Sequence, residues 1–322
     1  MKSVCKFVAL ALMLLVVMLS GCAVNLPTQE KNIDITMIVK RSDFNFWEVV
    51  KMGAEAAGKE FSINVDFKGP TDENDIDGQI RMVEEAIAAK TDALVLAASD
   101  YLRLVDVAEK AVSEDIPVII IDSEIKSDKM MSFIGTDNVD AGMKLGETLI
   151  QRVGSDCNVA VMSFVKGAAT CEQREEGFLK AVEKYPGIKV ITTVYCNSDE
   201  SMAETLTEDV VKEYPDLDAV VCLNAYGAVG TARTIKRLNL TDKIKIIGFD
   251  STPEEISFLE KDVIQALVVQ NPFKMGYFGI KYALDVINNK EIPERVNTGS
   301  TVIDKSNMYL PENQKLVFPF TN

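Results

Sequence analysis

The 322-residue sequence contains no histidine. Histidine is the side chain that most often acts as a general base near neutral pH, and it is the commonest metal ligand. Its absence argues against metal-dependent or hydrolytic catalysis, and we predict neither a catalytic residue nor a metal site. The sequence also lacks a phosphate-binding loop, because no GxGxxG follows a strand and no GxxxxGK[ST] occurs. We therefore expect no cofactor.

Basic residues are few relative to acidic ones. The chain has 34 Lys and Arg against 49 Asp and Glu, a formal net charge of −15. Nucleic-acid phosphates would be repelled by this charge, so we exclude nucleic acid as a partner. A hydrophobic content of 47% and a charged content of 26% are typical of a globular protein. The length is sufficient for two domains, each with its own core.

One long apolar run lies near the N-terminus, at Phe7–Leu19, and Lys2 and Lys6 precede it. The run is shorter than the roughly 20 residues that span a bilayer, and its basic start is typical of a secretory signal. It ends at Leu19-Ser20-Gly21-Cys22, which resembles the end of a bacterial lipoprotein signal.

The resemblance to a lipoprotein signal implies that residues 1–21 are a lipoprotein signal peptide and that Cys22 becomes the lipidated first residue. Acyl chains on Cys22 would anchor the protein to the cell membrane. Residues 22–32 contain Pro27 and several polar residues, so we predict a flexible tether. A plain secretory leader with an incidental cysteine is the alternative.

Four further cysteines have no metal-type CxxC spacing: Cys157, Cys171, Cys196 and Cys222. Outside the cytoplasm they could form one or two disulfides, and Cys171 with Cys196 is the pair to test first. Buried free thiols are the other interpretation.

Apolar runs of strand length alternate with stretches of helical spacing, such as Ile76, Ile80, Val83 and Ile87. This alternation predicts an α/β protein with parallel sheets covered on both faces. Right-handed crossovers would make each sheet doubly wound.

Polar and aromatic residues follow several of the predicted strands. They are Asp43, Asn45, Phe46 and Trp47 after Ile35–Val39, Ser99 and Asp100 after Ala93–Leu96, Asp122 after Val118–Ile121, Asn224 after Ala219–Leu223, and Asp250 after the run that begins at Ile244. Ligands bind at the carboxyl edge of parallel sheets. A helix-start signal, Thr252-Pro253-Glu254-Glu255, follows Asp250 and places it in a strand-to-helix turn. Each aspartate alone could merely cap the next helix.

The chain contains an internal repeat of one strand–helix–strand pattern. Thr91-Asp92-Ala93-Leu94-Val95 leads through a helix to Asp122, and Leu217-Asp218-Ala219-Val220-Val221 leads through a helix to Asp250. Two similar lobes would then enclose a cleft between facing strand ends. A boundary is expected near Gly135-Thr136-Asp137-Asn138, where a strand ends and a capped helix begins.

These features together resemble the ribose- and galactose-type periplasmic sugar-binding proteins of bacterial ABC importers. The resemblance covers Ile33 to Asp304 and rests on Phe46-Trp47, Ile116-Pro117-Val118-Ile119-Ile120-Ile121-Asp122, Gly135-Thr136-Asp137-Asn138, Arg174-Glu175-Glu176-Gly177-Phe178, Asn224, Gly248-Phe249-Asp250 and Gln270-Asn271-Pro272.

The resemblance implies two doubly wound parallel-sheet lobes joined by a three-crossing hinge, with crossings near Thr136, Asn271 and Gly299. The N-terminal lobe would comprise residues 33–136 and 271–299. The C-terminal lobe would comprise residues 137–270 and 300–322.

It also implies a set of ligand-binding residues: Asp43, Asn45, Phe46, Trp47, Asp122, Arg174, Asn224, Asp250 and Gln270. Carboxylates accept from sugar hydroxyls, a guanidinium donates in a fixed fork, and amides do both. Aromatic rings can stack on the C–H face of a sugar.

The chain departs from the ribose-binding pattern in two places. It has Asp43-Phe44-Asn45 where ribose binders carry Asn-Asn-Pro, and Ser123 where they carry a second arginine. The ligand need not be ribose.

From this resemblance we predict a lipid-anchored, extracytoplasmic, monomeric protein that binds a monosaccharide by lobe closure and delivers it to the permease of an ABC importer. A sensor subunit that docks on a membrane receptor kinase is the alternative. A nucleoside competes with a simple sugar as ligand. A glycosidase using Asp122 and Asp250 is disfavoured because no catalytic motif accompanies them.

Overall fold

The computed structural model describes residues 32–319. The predicted signal peptide at 1–21, the lipidation site Cys22 and the tether up to residue 31 lie outside the described residues. None of the described helices has the length and apolar character needed to cross a membrane.

The described chain contains two six-stranded sheets. The first has the order β11-β5-β4-β3-β1-β2 and the second the order β12-β10-β9-β8-β6-β7. The strands of the first sheet are β1 (Asp34–Ile38), β2 (Asn64–Lys68), β3 (Ala93–Leu96), β4 (Val118–Ile121), β5 (Ser132–Gly135) and β11 (Arg295–Asn297). Those of the second are β6 (Asp156–Ser163), β7 (Gly187–Tyr195), β8 (Ala219–Cys222), β9 (Lys245–Phe249), β10 (Ala266–Gln270) and β12 (Ser300–Ile303).

The two sheets correspond strand for strand. All neighbouring strands are parallel except β12, which runs antiparallel to β10. Central strands such as Val118–Ile121 are apolar and buried throughout, as strands covered on both faces must be. The predicted fold class, two similar parallel-sheet α/β lobes, is confirmed.

Ten described helices flank the sheets. They are α1 (Asn45–Phe61), α2 (Ile76–Ala88), α3 (Val105–Ser113), α4 (Asn138–Arg152), α5 (Ala169–Val182), α6 (Glu200–Glu213), α7 (Ala225–Arg237), α8 (Pro253–Glu260), α9 (Pro272–Ile287) and α10 (Pro311–Val317). We call the first sheet with α1, α2, α3 and α9 the first lobe, and the second sheet with α4–α8 and α10 the second lobe.

The lobes exchange helices at two of the three chain crossings. Helix α4 follows β5 of the first sheet but packs on α5, and α9 follows β10 of the second sheet but packs on α1. Glycines allow both helix pairs to touch backbone to backbone. A Cβ on Gly177 would lie 2.0 Å from the carbonyl oxygen of Val139, and one on Gly276 would lie 1.9 Å from that of Val50. The third crossing joins β11 to β12.

Hydrogen bonds tie the three crossings to one another. The Thr136 hydroxyl donates to Gln270 Oε1 at 2.8 Å, and the Thr298 amide donates to the Gly135 carbonyl at 2.8 Å. The hinge is therefore a joined set of strands and not three independent linkers.

The four described cysteines are buried and unpaired: Cys157, Cys171, Cys196 and Cys222. Burial raises the pKa of Cys171 to about 11 and that of Cys196 to about 12. These thiols stay protonated near neutral pH and are poor nucleophiles. Of the two alternatives left open by the sequence, the structure has free thiols.

The predicted helix start after Asp250 is a complete capping box. The Glu255 amide donates to Thr252 Oγ1 at 3.3 Å, and Glu255 Oε2 accepts from the Thr252 amide at 2.8 Å and its hydroxyl at 2.9 Å. Glu255 Oε1 is buried without a hydrogen-bond partner in the described part of the chain. Burial, and secondarily the nearby Asp250 carboxylate, raise the pKa of Glu255 well above its ordinary value.

We predict that Glu255→Gln stabilises the protein at pH 8. The raised pKa means that the folded state binds a proton more readily than the unfolded state, so ionisation of Glu255 lowers the free energy of unfolding as pH rises. Glutamine keeps the capping hydrogen bonds without the charge. We expect the free energy of unfolding, measured with urea, to rise by about 1 kcal/mol or more. The gain should disappear below the pKa that the glutamate has in the unfolded chain.

Glu254→Gln is the matched control. Its carboxylate accepts from Arg233, which holds the pKa of Glu254 below its ordinary value. This substitution should destabilise slightly at pH 8, the opposite sign. A Glu255→Gln protein less stable than wild type at pH 8 would contradict the prediction.

Candidate functional site

A cavity between the lobes collects side chains from the carboxyl ends of strands in both sheets. Its empty space is about 390 Å³, part of which is open to solvent. Seven of the nine residues predicted from the sequence line it: Phe46, Trp47, Asp122, Arg174, Asn224, Asp250 and Gln270. The remaining lining residues were not predicted: Lys40, Phe44, Glu73, Phe164, Thr170, Ala225 and Tyr226.

Asp122 and Asp250 occupy equivalent positions in the two lobes. Asp122 follows β4 and Asp250 follows β9, and these strands hold the same place in their sheets. Both residues have left-handed backbones, with φ of 59° and 79°. Their amides donate to Ile134 and Val268 in the neighbouring strands, each at 3.0 Å. Strained backbones of this kind gather at functional sites, where the surrounding structure holds them in place.

Lys40 brings a positive charge to Asp122. Its ammonium lies 3.1 Å from Asp122 Oδ2 and 3.7 Å from Glu73 Oε1. It also donates to the Thr170 hydroxyl of the second lobe at 3.4 Å. Lys40 thus joins two carboxylates of the first lobe to the opposite side of the cavity.

Arg174 on α5 is 3% exposed and held in one orientation. Its Nε donates to Asn138 Oδ1 at 2.9 Å, and Nη1 donates to the Leu223 carbonyl at 2.8 Å. The guanidinium lies 3.7 Å from the ring centroid of Phe249. Burial lowers the pKa of Arg174, and the carboxylates of Asp250 and Asp122 oppose that shift.

Asp250 is half-buried, and Gln270 Nε2 donates to its Oδ1 at 2.8 Å. Burial raises the pKa of Asp250, while the Arg174 charge and the Gln270 hydrogen bond oppose the rise. Because Gln270 also accepts from Thr136 in the hinge, the hinge and the cavity share one hydrogen-bonded path.

Asn224 has a structural role as well as a place on the cavity wall. Its Oδ1 accepts from the Gly227 amide at 2.9 Å as the N-cap of α7, and its Nδ2 donates to Ser198 Oγ at 3.2 Å. The cap fixes the amide group, which leaves one Nδ2 hydrogen and the remaining oxygen lone pair for other partners.

Aromatic rings form one wall of the cavity and part of its rim. Phe46 and Trp47 meet edge to face with centroids 4.9 Å apart, and Trp47 is 5% exposed. Phe44 of the first lobe stacks on Tyr226 of the second at 4.1 Å. This stack closes the cavity on one side.

Two predicted residues lie outside the cavity. Asp43 is exposed and accepts from Arg41 Nε at 2.5 Å, a bond that holds the pKa of Asp43 below its ordinary value. Asn45 begins α1 and lines a separate depression with Asn271 and Phe273 at the hinge. The backbone turn after β1 directs Phe44, instead of these two polar residues, towards the second lobe.

Some of the unpredicted residues carried a usable signal. Lys40 ends the β1 run as Asp122 ends the β4 run, so the strand-end rule applied to it equally. Glu73 comes from the loop after β2, whose alternating sequence Asn64–Lys68 is partly exposed and gives a weak strand pattern. Tyr226 lies inside the first turn of α7 and gave no separate signal.

The rims of the lobes touch, so the structure is a closed form. The Tyr101 amide donates to the Gly167 carbonyl at 3.0 Å, and Gln173 Nε2 donates to Glu124 Oε2 at 2.8 Å. Hinge closure of two lobes around a cleft is a common mode of ligand capture. Among the described residues no group of His, Cys, Asp and Glu has the arrangement of a metal site.

Comparison with known sequences gives the family. Residues 35–291 match the periplasmic binding protein domain. The chain is 27% identical over 308 residues to the D-ribose/D-allose-binding protein of Pseudomonas aeruginosa, covering 91% of this chain and 96% of that protein. It is 26% identical over 260 residues to the D-allose-binding periplasmic protein of Escherichia coli, covering 78% of this chain and 84% of that protein.

Solved structures agree. A carbohydrate-transporter solute-binding protein from Agrobacterium radiobacter, in complex with D-arabinose, has a TM-score of 0.87 and 33% identity, covering 89% of this chain and 99% of that chain. An ABC transporter solute-binding protein from Agrobacterium vitis with bound D-fucose has a TM-score of 0.86 and 34% identity, covering 88% of this chain and 100% of that chain.

These relatives are named as binding or solute-transport proteins, which confirms the prediction that the chain is not an enzyme. The family places it outside the cytoplasm. The chain therefore belongs to the periplasmic binding protein family, as its resemblance to the ribose- and galactose-type sugar-binding proteins predicted.

Proposed function

We propose that this protein is a lipid-anchored solute-binding protein that captures a monosaccharide and delivers it to an ABC importer. The observation that carries the proposal is the interlobe cavity, in which Asp122 of the first lobe lies with Asp250 and Arg174 of the second. The ligands named for the relatives, D-ribose, D-allose, D-arabinose and D-fucose, are all monosaccharides.

The cavity chemistry suits a polyhydroxylated ligand. Asp122 and Asp250 supply acceptors for hydroxyl protons, and charge-assisted bonds of this kind are strong. Arg174 uses Nε and Nη1 on the protein, and within residues 32–319 its Nη2 has no hydrogen-bond partner. Phe46 and Trp47 supply the apolar wall that the C–H face of a sugar would contact.

We further propose that residues 33–136 with 271–299 move as one body against residues 137–270 with 300–322. A ligand that touches both bodies favours the closed arrangement by the contacts it makes only there. Affinity in the micromolar range or tighter corresponds to about −8 kcal/mol or more.

Membrane attachment forms part of the same proposal. Residues 1–21 would be removed as a signal peptide, and lipid on Cys22 would hold the protein through the tether at 22–32. The support is the order of basic residues, apolar run and Leu19-Ser20-Gly21-Cys22 in the sequence.

The protein has one tryptophan, and Trp47 lines the cavity. We expect a saturable change in its fluorescence when the mature protein is titrated with one member of a panel of pentoses, hexoses, inositols and nucleosides. The change arises because ligand contact alters the surroundings of the indole. Calorimetry on Trp47→Phe provides the control, since binding should persist in part without the signal. A panel that produces neither fluorescence change nor thermal stabilisation would contradict sugar or nucleoside binding.

Arg174→Ala should weaken binding of the sugar so identified by at least about 100-fold, because a buried charged donor is lost and its partners are left unpaired. Isothermal calorimetry gives the affinity, and circular dichroism checks the fold. Arg233→Ala is the matched control, because Arg233 lies in the second lobe but pairs with Glu200 and Glu254 outside the cavity. Arg174→Lys keeps the charge without the fork, and it serves if the alanine variant does not fold. Unchanged affinity in a folded Arg174 variant would remove this residue from the site.

Cys22→Ser should move the expressed protein from the membrane fraction to the soluble fraction, because it removes the proposed acylation site. Metabolic labelling with a fatty acid should mark the wild type and not the variant. Cys157→Ser is the control, since Cys157 is a buried thiol of the folded domain. A Cys22→Ser protein that still carries label and still sediments with membranes would refute lipidation at this residue.

A further inference from the structure

The ionisable side chains of the cavity do not balance. Three carboxylates line it, Glu73, Asp122 and Asp250, against the two cations Lys40 and Arg174. The lining therefore carries one excess negative charge when all five groups are ionised. Resting on the proposed function, we propose that Lys40 and Glu73 select the ligand by charge, so that the cavity admits neutral or cationic sugars and rejects sugar acids and sugar phosphates.

Glu73 is the carboxylate with the weakest protein partner. It is 7% exposed, and among the described residues its side chain has one ion pair, with Lys40 Nζ at 3.7 Å, and no hydrogen bond. This separation is longer than a hydrogen bond. A buried carboxylate without donors is unfavourable, so Glu73 favours a ligand that brings a hydroxyl or ammonium proton to it.

Lys40 does not neutralise this corner of the cavity by itself. Its single charge is shared between Asp122 at 3.1 Å and Glu73 at 3.7 Å, and it also donates to Thr170. Arg174 lies on the other side, where it stacks on Phe249 and bonds to the Leu223 carbonyl, and its charge already interacts with the carboxylates of Asp250 and Asp122. An anionic ligand group would meet an excess of negative charge in a site of low dielectric.

The two residues also lie where charge selection is effective. Lys40 is 2% exposed, so neither bulk water nor salt screens its neighbourhood well. Glu73 and Lys40 belong to the first lobe, while Thr170, the other partner of Lys40, belongs to the second. Lobe closure therefore forms the last contact of the Lys40 ammonium and encloses the ligand with these charges.

The test uses matched sugars that share one carbon skeleton and differ in charge. Calorimetry compares D-galactose, D-galactosamine and D-galacturonate, then D-glucose, D-glucosamine and D-glucuronate, then D-ribose and D-ribose 5-phosphate. In the series that binds, we expect the acid or phosphate to bind wild type at least about 100-fold more weakly than the neutral sugar. In the galactose and glucose series, the amino sugar should bind as tightly as the neutral sugar or more tightly.

Two variants shift the cavity charge in opposite directions. Glu73→Gln removes the excess negative charge, and Lys40→Met increases it. The ratio of the dissociation constant of the anionic sugar to that of the neutral sugar should fall about tenfold in Glu73→Gln and rise in Lys40→Met. Because the ratio compares two ligands on one protein, a general loss of affinity does not affect it. Glu109→Gln, on the surface of the first lobe and paired with Lys129, should leave the ratio unchanged.

The outcomes separate this inference from the proposed function. If wild type binds none of the sugars, nor any member of the wider panel, the proposed function fails and this inference fails with it. If wild type binds a neutral sugar but the ratio is the same in the Glu73 and Lys40 variants as in wild type, the inference alone is overturned. Tighter binding of the acid or phosphate by wild type would also overturn it.

Discussion

Compensation of buried charge in the interlobe cavity is the constraint on which the rest of the site depends. Lys40 and Arg174 are each at most 3% exposed, and such charges persist only where other groups replace their water. Lys40 has the Asp122 carboxylate at 3.1 Å, and Arg174 has the Phe249 ring and the Leu223 carbonyl. The partners come from different strands, so the sheets must hold them in register before the charges can be accommodated.

The paired lobes supply that register. Asp122 and Asp250 are held in left-handed conformations by amide bonds to the neighbouring strand, and each points its carboxylate from the same position of its sheet. Helix α4 packs in the second lobe but follows β5 of the first, and α9 packs in the first lobe but follows β10 of the second. Each of these helices therefore connects the two lobes. Close backbone contact at Gly177 and Gly276 fixes these helix pairs, and α5 in turn fixes Arg174. The geometry of the cavity thus depends on close backbone contacts between helices as well as on the side chains that line it.

Much of this arrangement follows from sequence pattern alone. Runs such as Val118–Ile121 read as buried strands, and the polar residues that follow them fall at the sheet edge because parallel strands end there. Asp43 shows the limit of the rule, since it follows β1 as expected but turns to Arg41 at the surface. A position at the end of a strand predicts that a residue lies at the edge of the sheet, whereas the direction of its side chain depends on the local turn.

The positions of other cavity residues depend on tertiary contacts that the hydrophobic periodicity of the sequence does not predict. Tyr226 sits in a helix whose sequence shows only that it is helical, and its stack with Phe44 exists because two lobes meet. Glu73 lies in the loop after β2. Because β2 is partly exposed, its hydrophobic pattern is weak and does not locate the loop that follows it. The charge balance of the cavity likewise emerges only when Lys40 and Glu73 are placed beside Asp122.

The contacts that cross the cleft also bear on how closure is controlled. At the rim they are a neutral hydrogen bond from Tyr101 to Gly167, one bond from Gln173 to the Glu124 carboxylate, and the stack of Phe44 on Tyr226. Contacts of this kind are worth about 0.5–1.5 kcal/mol each. The strong, charged groups lie inside, where a ligand reaches Asp122 and Asp250 from both lobes at once. A ligand therefore shifts the closure equilibrium through the interior groups, and the modest rim contacts still allow the lobes to separate for release.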